Sequence, residues 1–213
     1  MPSLEEIKNA LAELNEELTL RLVKTALAAR VPAYEVLRAC QDGMTEVGRR
    51  FECQDYFISE LMMSGEIFRQ LSAILEPGLK AGGTHSAGKV VIGTVKGDIH
   101  DIGKDIVVNM LKSANFEVLD LGVDVPPEKF ISALKESGAS VLGMSGLLTL
   151  AFDSMKATVQ ALEAADLRSK VRVMIGGGPV DGNVCRVVGA DDWGANAQHA
   201  VRLAKGWLGR VQA

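Results

Sequence analysis

The sequence changes its hydrophobic pattern near residues 80–88, and this change is the feature that most constrains the fold. Before it, apolar residues such as Leu4, Ile7 and Leu11 recur at helical spacing, which predicts a four-helix unit. After it, short apolar runs alternate with helical stretches. The five runs are 90–94, 117–121, 140–144, 171–175 and a weaker one near 190–193. Such alternation predicts an α/β fold with a doubly wound parallel sheet.

We therefore expect two domains, a helical domain over residues 1–82 and an α/β domain over residues 88–213. The last helix of the first domain is expected to stop at Pro77-Gly78, because proline and glycine both disfavour a continuing helix. The segment Lys80–Gly88 is small and polar, which is typical of a linker.

Composition excludes several classes of protein. The formal net charge is −4 and the sequence has no long basic run, which argues against a nucleic-acid partner. Neither a signal peptide nor a membrane-spanning segment is apparent, so we expect a cytoplasmic protein without a membrane partner. The three cysteines are scattered without a CxxC pair, which makes a disulfide framework or a cysteine zinc site an unfavourable interpretation.

Three unusual segments follow three of the predicted strands. They are Gly97–Gly103 after the first strand, Ser145–Thr149 after the third and Gly176–Gly178 after the fourth. The carboxyl ends of parallel strands share one edge of the sheet, and ligands of such folds bind there. The three segments are therefore expected to converge on one site.

Each segment has a chemical interpretation and a simpler one. His100 lies between Asp98 and Asp101, and a neighbouring carboxylate fixes the tautomer of a metal-binding histidine. The simpler interpretation is a solvated surface histidine. The three glycines allow close approach of a ligand, or they form an ordinary turn. A dinucleotide site is the third alternative, but the G-x-G-x-x-G fingerprint is absent from the start of the first α/β helix.

Taken together, these segments resemble the signature of cobalamin-binding domains. The motif Asp98-x-His100-x-x-Gly103 is followed by Ser145-x-Leu147 and then by Gly176-Gly177, and the flanking residues are similar to methionine synthase and to the corrinoid proteins of methyltransferase systems. The helical half carries a second matching signature in residues 47–51 and 56–61. The resemblance implies an N-terminal four-helix cap and a Rossmann-like (flavodoxin-like) domain whose five-stranded parallel sheet is flanked by helices.

The resemblance also implies a cofactor and its contacts. Cobalamin would bind with its own base displaced (base-off), and His100 would replace that base as the lower ligand of cobalt. The nucleotide tail would enter the sheet domain, and Phe51 and Ile58 of the cap would cover the upper face; their alternative role is in the core of the helical bundle. The implied cofactor-binding residues are Asp98, Ile99, His100, Asp101, Ile102, Gly103, Ser145, Leu147, Thr149, Gly176, Gly177, Gly178, Ala197, Phe51 and Ile58.

By the same resemblance, the chain is expected to be a methyl carrier that is not catalytic on its own. Cob(I)alamin would accept a methyl group from a methyl-donor methyltransferase, and methylcobalamin would pass it to an acceptor methyltransferase that serves tetrahydrofolate or a thiol. An ATP-dependent reductive activase is a further expected partner. The alternatives are a cobalamin-dependent regulator without its DNA-binding module and a subunit of an adenosylcobalamin-dependent mutase.

The sequence departs from the family pattern at one position. In methionine synthase the ligand histidine is linked to an aspartate and then to a serine. The aspartate matches Asp98, whereas the position of the serine falls on Ala151. We expect that water or another hydroxyl replaces the serine, or that the Asp98–His100 pair is tuned differently.

Overall fold

The computed structural model describes residues 2–82 and 86–208, and the chain divides into the units Met1–His85 and Ser86–Ala213. Residues 83–85 of the expected linker and residues 209–213 of the expected α/β domain lie outside the described residues. The exact domain limits therefore stay predictions.

The N-terminal unit is built from the expected helices. They are α1 (Leu4–Ala12), α2 (Glu16–Ala28), α3 (Ala33–Glu52) and α4 (Ile58–Gly82). Ser3 and Glu6 form a reciprocal capping box that begins α1, because each side chain accepts a hydrogen bond from the backbone amide of the other residue. Helix α3 packs against both α1 and α4, and the apolar faces meet in a buried core. Its largest buried side chains are Ile7, Leu11, Met44, Ile67, Leu71 and Leu75.

The expectation that the last helix stops at Pro77-Gly78 is wrong, because α4 continues through Pro77 to Gly82. Gly78 has a packing reason instead. A Cβ atom at this position would lie 2.7 Å from Cβ of Ala33, so the glycine allows α4 to approach the start of α3. Although α4 has 25 residues, no helix in the described part of the chain is long and apolar enough to cross a membrane.

The C-terminal unit is a five-stranded, all-parallel sheet flanked by helices, which confirms the expected fold class. The strands are β1 (Gly88–Thr94), β2 (Phe116–Asp120), β3 (Val141–Ser145), β4 (Arg172–Gly176) and β5 (Asp192–Gly194). The helices are α5 (Ile102–Ser113), α6 (Pro127–Ser137), α7 (Ala151–Ala164), α8 (Gly182–Val188) and α9 (Ala197–Leu208). The strand order is β2-β1-β3-β4-β5, so the direction of winding reverses between β1 and β3.

The central strands are buried on both faces, which explains their continuous apolar sequences. On one face, Val91, Leu142 and Val173 pack with side chains from α6, α7 and α8, including Phe130 and Met155. Helices α5 and α9 contact each other and the remaining face of the sheet. The two helix layers leave the carboxyl ends of the strands open to the loops that follow them.

Two helical glycines allow a matched test of the packing. A Cβ at Gly43 of α3 would lie 2.9 Å from the carbonyl oxygen of Lys8 in α1, whereas a Cβ at Gly206 of α9 meets no described atom within 4 Å. Gly43→Ala should therefore lower the free energy of unfolding of its unit by about 1–3 kcal/mol. Gly206→Ala should raise that of its own unit by about 0.5–1 kcal/mol, because alanine favours the helix. Urea unfolding measures both, and equal effects of the two variants would contradict the close packing of α1 and α3.

Candidate cofactor site at the carboxyl edge of the sheet

The three segments after β1, β3 and β4 lie side by side, as expected from the parallel topology. The amide of Val95 donates to the carbonyl oxygen of Ser145 over 3.0 Å, and the amide of Gly146 donates to that of Gly176, also over 3.0 Å. The strands end in register, with Thr94 beside Ser145 and Ser145 beside Gly176. The edge at which β1 and β3 diverge in topology thus brings together residues that are distant in the sequence.

The centre of this edge is a carboxylate–imidazole pair. The side chain of Asp98 is fully buried, and its Oδ1 lies 2.7 Å from Nδ1 of His100. An ionised carboxylate only accepts hydrogen bonds, so Nδ1 carries the proton of a neutral ring. Nε2 is then the nitrogen with a free lone pair. Among the described residues it has no hydrogen-bond partner, and the side chain of His100 is 49% exposed.

Asp98 is held as an anion by donors from two loops. Burial by itself raises the pKa of a carboxyl group, but here the amides of Leu148, His100 and Leu147 and the His100 ring together hold the pKa of Asp98 well below its usual range. The amides of Leu147 and Leu148 donate to Oδ2 over 2.6 and 3.0 Å. The amide of His100 donates to Oδ1 over 3.0 Å.

The backbone amides also bear on the position of Ala151, where methionine synthase has a serine. Ala151 begins α7 and is 2% exposed, so it supplies no hydroxyl to the pair. Oδ2 of Asp98 accepts hydrogen bonds from the backbone amides of Leu147 and Leu148. Whether water or another hydroxyl takes the place of the serine, or the Asp98–His100 pair is tuned differently, stays a prediction.

Two glycines of the site differ in whether the protein itself requires a glycine at that position. Gly177 has φ +147°, and a Cβ there would lie 1.9 Å from the carbonyl oxygen of Gly146, so a larger residue would separate the loops after β3 and β4. Gly103, in the first turn of α5, has no such constraint. A Cβ at this position meets no described atom within 4 Å, so the protein itself gives no reason for a glycine there. The space above Gly103 is open for a ligand.

The remaining predicted residues of the C-terminal unit lie on or beside the same edge. Ile99, Ile102 and Leu147 expose apolar side chains near His100, at 71%, 66% and 44%. Asp101 precedes α5 and is exposed, as is Thr149, while Ser145 is half-buried at the end of β3. Gly176 and Gly178 flank Gly177, and the buried Ala197 begins α9. Their contacts with a cofactor stay predictions.

Phe51 and Ile58 lie in the N-terminal unit, near the turn that joins α3 and α4. Phe51 is half-buried close to the end of α3, and Ile58 is the first residue of α4 with 55% of its surface exposed. Ile58 is therefore not a core residue of the bundle, which removes its alternative interpretation. The contacts of Phe51 and Ile58 with a cofactor stay predictions.

Two residues outside the predicted site support the loop that carries His100, residues 95–101, which is called the histidine loop below. Thr94 is buried, and its Oγ1 donates to the carbonyl oxygen of His100 over 3.1 Å. Asp124, in the loop after β2, accepts from the amide of Gly97 over 2.8 Å through Oδ1, and its own amide donates to the carbonyl oxygen of Asp98 over 3.0 Å. The signal available in the sequence was the position of Asp124 in the loop that follows a predicted strand, four residues after the end of β2.

These features suit a large cofactor that combines a metal with an apolar body. Nε2 of His100 is a nitrogen of the kind that binds metals, in a ring that a buried carboxylate orients. The exposed isoleucines on both sides of it offer apolar surface, and Gly103 leaves room above the loop. The donor set and the shape of the edge therefore fit a corrinoid. Fold and site together define an α/β protein whose carboxyl edge, at the topological switch point, suits a metal-containing cofactor.

Comparison with known proteins identifies the family. A family model described as a B12 binding domain matches residues 88–202, and a second B12 binding domain model matches residues 3–76. The chain therefore belongs to the B12-binding family of corrinoid proteins, which confirms the resemblance seen in the loop motifs. Both halves of the chain take part in the match.

Relatives agree along nearly the whole length. Dimethylamine corrinoid protein 3 of Methanosarcina acetivorans is 39% identical over 203 residues, which cover 95% of each chain. The crystal structure of a cobalamin-binding protein from Desulfitobacterium hafniense has a TM-score of 0.83 at 41% identity and covers 96% of this chain and 98% of its own. The methanol:cobalamin methyltransferase complex MtaBC of Methanosarcina barkeri contains a chain with a TM-score of 0.83 at 26% identity, with coverage of 96% and 78%.

Replacement of Asp98 by asparagine tests the buried anion without a cofactor. The amide group of Asp98→Asn would place N–H donors against existing donors, so the free energy of unfolding should fall by about 2–3 kcal/mol. Asp101→Asn is the matched control, because Asp101 is exposed and its side chain makes no capping bond; its effect should stay within about 0.5 kcal/mol. Urea unfolding of the cofactor-free protein measures both, and similar small effects would contradict the proposed importance of the four donors.

Proposed function

We propose that this chain is the corrinoid methyl carrier of a methyltransferase system, with His100 as the lower ligand of cobalt. The observation that carries the proposal is the geometry of His100, whose Nδ1 is bound to the buried carboxylate of Asp98 while its side chain is half exposed and Nε2 has no hydrogen-bond partner among the described residues. A histidine in this arrangement is oriented before any metal arrives. The family match and the corrinoid relatives support the nature of the metal group.

The proposed division of roles follows the carboxyl edge of the sheet. His100 takes the place of the cofactor's own base, in the base-off mode, and Asp98 holds the Nδ1 proton so that Nε2 stays available. Ile99, Ile102 and Leu147 provide the apolar surface around the ligand nitrogen.

The nucleotide tail is assigned to the part of the edge beyond β3. Ser145 and Thr149 offer hydroxyl groups, and the glycines 176–178 keep side chains away from the path. Ala197 and the cap residues Phe51 and Ile58 complete the proposed contacts. In this assignment the chain has no catalytic residue of its own.

In this proposal the residues of the chain bind and orient the cofactor, and the cobalt of a bound corrinoid would supply the centre that accepts and releases the methyl group.

Partner enzymes would provide the substrates. We propose a methyl-donor methyltransferase, an acceptor methyltransferase for tetrahydrofolate or a thiol, and an ATP-dependent reductive activase. The names of relatives, which refer to dimethylamine, trimethylamine and a methanol methyltransferase complex, support small methylated compounds as donors. A cytoplasmic location remains a prediction from the sequence.

Cobalt ligation by His100 can be tested directly. The protein is loaded with hydroxocobalamin, reduced to Co(II) and examined by electron paramagnetic resonance after growth with ¹⁵N-histidine. The wild type should show superhyperfine coupling that changes with the label, and His100→Ala should lose it. His199→Ala is the control, because His199 lies in α9 and its ring interacts with the amide of Ala195. Bound cobalamin without histidine coupling would contradict the assignment of His100, and failure to bind cobalamin would contradict the proposed function.

The open space at Gly103 gives an independent test. Gly103→Ala should leave the cofactor-free protein folded and slightly more stable, because the added methyl group meets no described atom and alanine favours the helix. If the cofactor fills this space, the affinity for cobalamin should fall by about tenfold or more. Urea unfolding and a spectroscopic titration with cobalamin measure the two effects. Unchanged affinity would place the cofactor away from the first turn of α5.

A further inference from the structure

Lys104 is a buried cation with no role in the proposed cofactor contacts. It lies in the first turn of α5, and its side chain is 2% exposed. Burial of an ammonium group is costly, and the amino-terminal end of a helix disfavours positive charge. Helix stability therefore does not explain a lysine at this position. The contacts of its ammonium group explain why a lysine is buried here.

Two carboxylates bind the ammonium group of Lys104, and they differ in the other parts of the protein that they contact. Asp105 Oδ1 and Asp120 Oδ2 both lie 2.6 Å from Nζ. Asp105 is the next residue of the same helix, and its side chain is 56% exposed. Asp120 ends β2, and its second oxygen, Oδ1, accepts from the amide of Gly122 over 2.9 Å. Only the Asp120 carboxylate thus joins Lys104 to the loop after β2.

The loop after β2, residues 121–125, is bonded in turn to the loop that carries His100. The carbonyl oxygen of Gly122 accepts from the amide of Thr94 over 2.9 Å, and Oγ1 of Thr94 donates to the carbonyl oxygen of His100 over 3.1 Å. Asp124 binds the amide of Gly97 through its side chain and the carbonyl of Asp98 through its own amide. A continuous set of bonds therefore leads from Nζ of Lys104 to the backbone on both sides of the Asp98–His100 pair.

We propose that Lys104 is a positioning residue for His100. Through Asp120 it fixes the loop after β2, and that loop fixes the backbone of the histidine loop. The side chains of a solvent-exposed ion pair keep much of their conformational freedom. A buried ion pair between Lys104 and Asp120 restricts both side chains and therefore holds the end of β2 more rigidly. The consequence for cobalt ligation rests on the proposed function, whereas the consequence for the loops holds for the protein without a cofactor.

The two carboxylates provide a matched pair of isosteric variants. Asp120→Asn removes the partner that reaches the loop, and Asp105→Asn removes the one that does not. Lys104→Met removes the cation. Hydrogen exchange of the cofactor-free, full-length protein, measured by nuclear magnetic resonance, follows the amides of Gly97, Gly122 and Asp124. Amides of the central strands β1 and β3 report on global unfolding.

Exchange of the three loop amides should become about tenfold faster or more in Asp120→Asn and in Lys104→Met, and should change less than about twofold in Asp105→Asn. The strand amides should change much less than the loop amides. Equal effects of Asp120→Asn and Asp105→Asn would overturn the proposal. So would acceleration of strand and loop amides by the same factor, which would mean a general loss of stability. If Lys104→Met does not fold, the comparison of the two asparagine variants still decides the matter.

A second measurement connects the loop to the metal. In cobalamin-loaded, ¹⁵N-histidine-labelled protein, the fraction of Co(II) with histidine coupling should fall in Asp120→Asn and stay at the wild-type level in Asp105→Asn. Altered exchange with an unchanged coupled fraction would overturn the positioning of His100 while leaving the loop bonds in place. Absence of coupling in the wild type would instead count against the proposed function, and the exchange result would still test the role of Lys104 in the loops.

Discussion

A single buried carboxylate organises the carboxyl edge of this protein. Asp98 has no exposed surface, and an isolated anion in such a place would be strongly unfavourable. Four hydrogen bonds compensate for it, from the amides of His100, Leu147 and Leu148 and from the ring of His100. Because these donors belong to the loops after β1 and β3, satisfying the charge requires the two loops to lie together.

The same arrangement determines the electrostatics of the histidine. Three of the four donors to Asp98 are backbone amides, which stabilise the carboxylate by their dipoles and add no positive charge. The negative charge of Asp98 therefore lies directly behind an imidazole ring that is half exposed. Such a combination favours a positively charged centre in front of Nε2. An arginine or lysine partner for Asp98 would have satisfied the carboxylate equally well but would have cancelled this preference.

Much of this architecture could be predicted from the sequence, because strands and motifs leave clear patterns. The five strands lie within two residues of their expected limits, and the convergence of the histidine loop with the segment after β3 follows from parallel topology. The end of α4 was mispredicted because Gly78 serves close packing against Ala33, which a local pattern does not reveal. The donors to Asp98 could not be predicted, since the amides of Leu147 and Leu148 are backbone groups that every residue except proline possesses.

The level ends of the strands have a consequence for the shape of what can bind. Thr94, Ser145, Gly176 and Gly194 lie side by side in adjacent strands. With about 4.8 Å between neighbouring strands, this row is about 14 Å long. A molecule that touches the histidine at one end and the last glycines at the other must be elongated along the row. A compact molecule would contact only one end of the row. Substitutions in the loop after β1 therefore alter the contacts with one end of an elongated ligand, and substitutions in the loops after β4 and β5 alter the contacts with its other end.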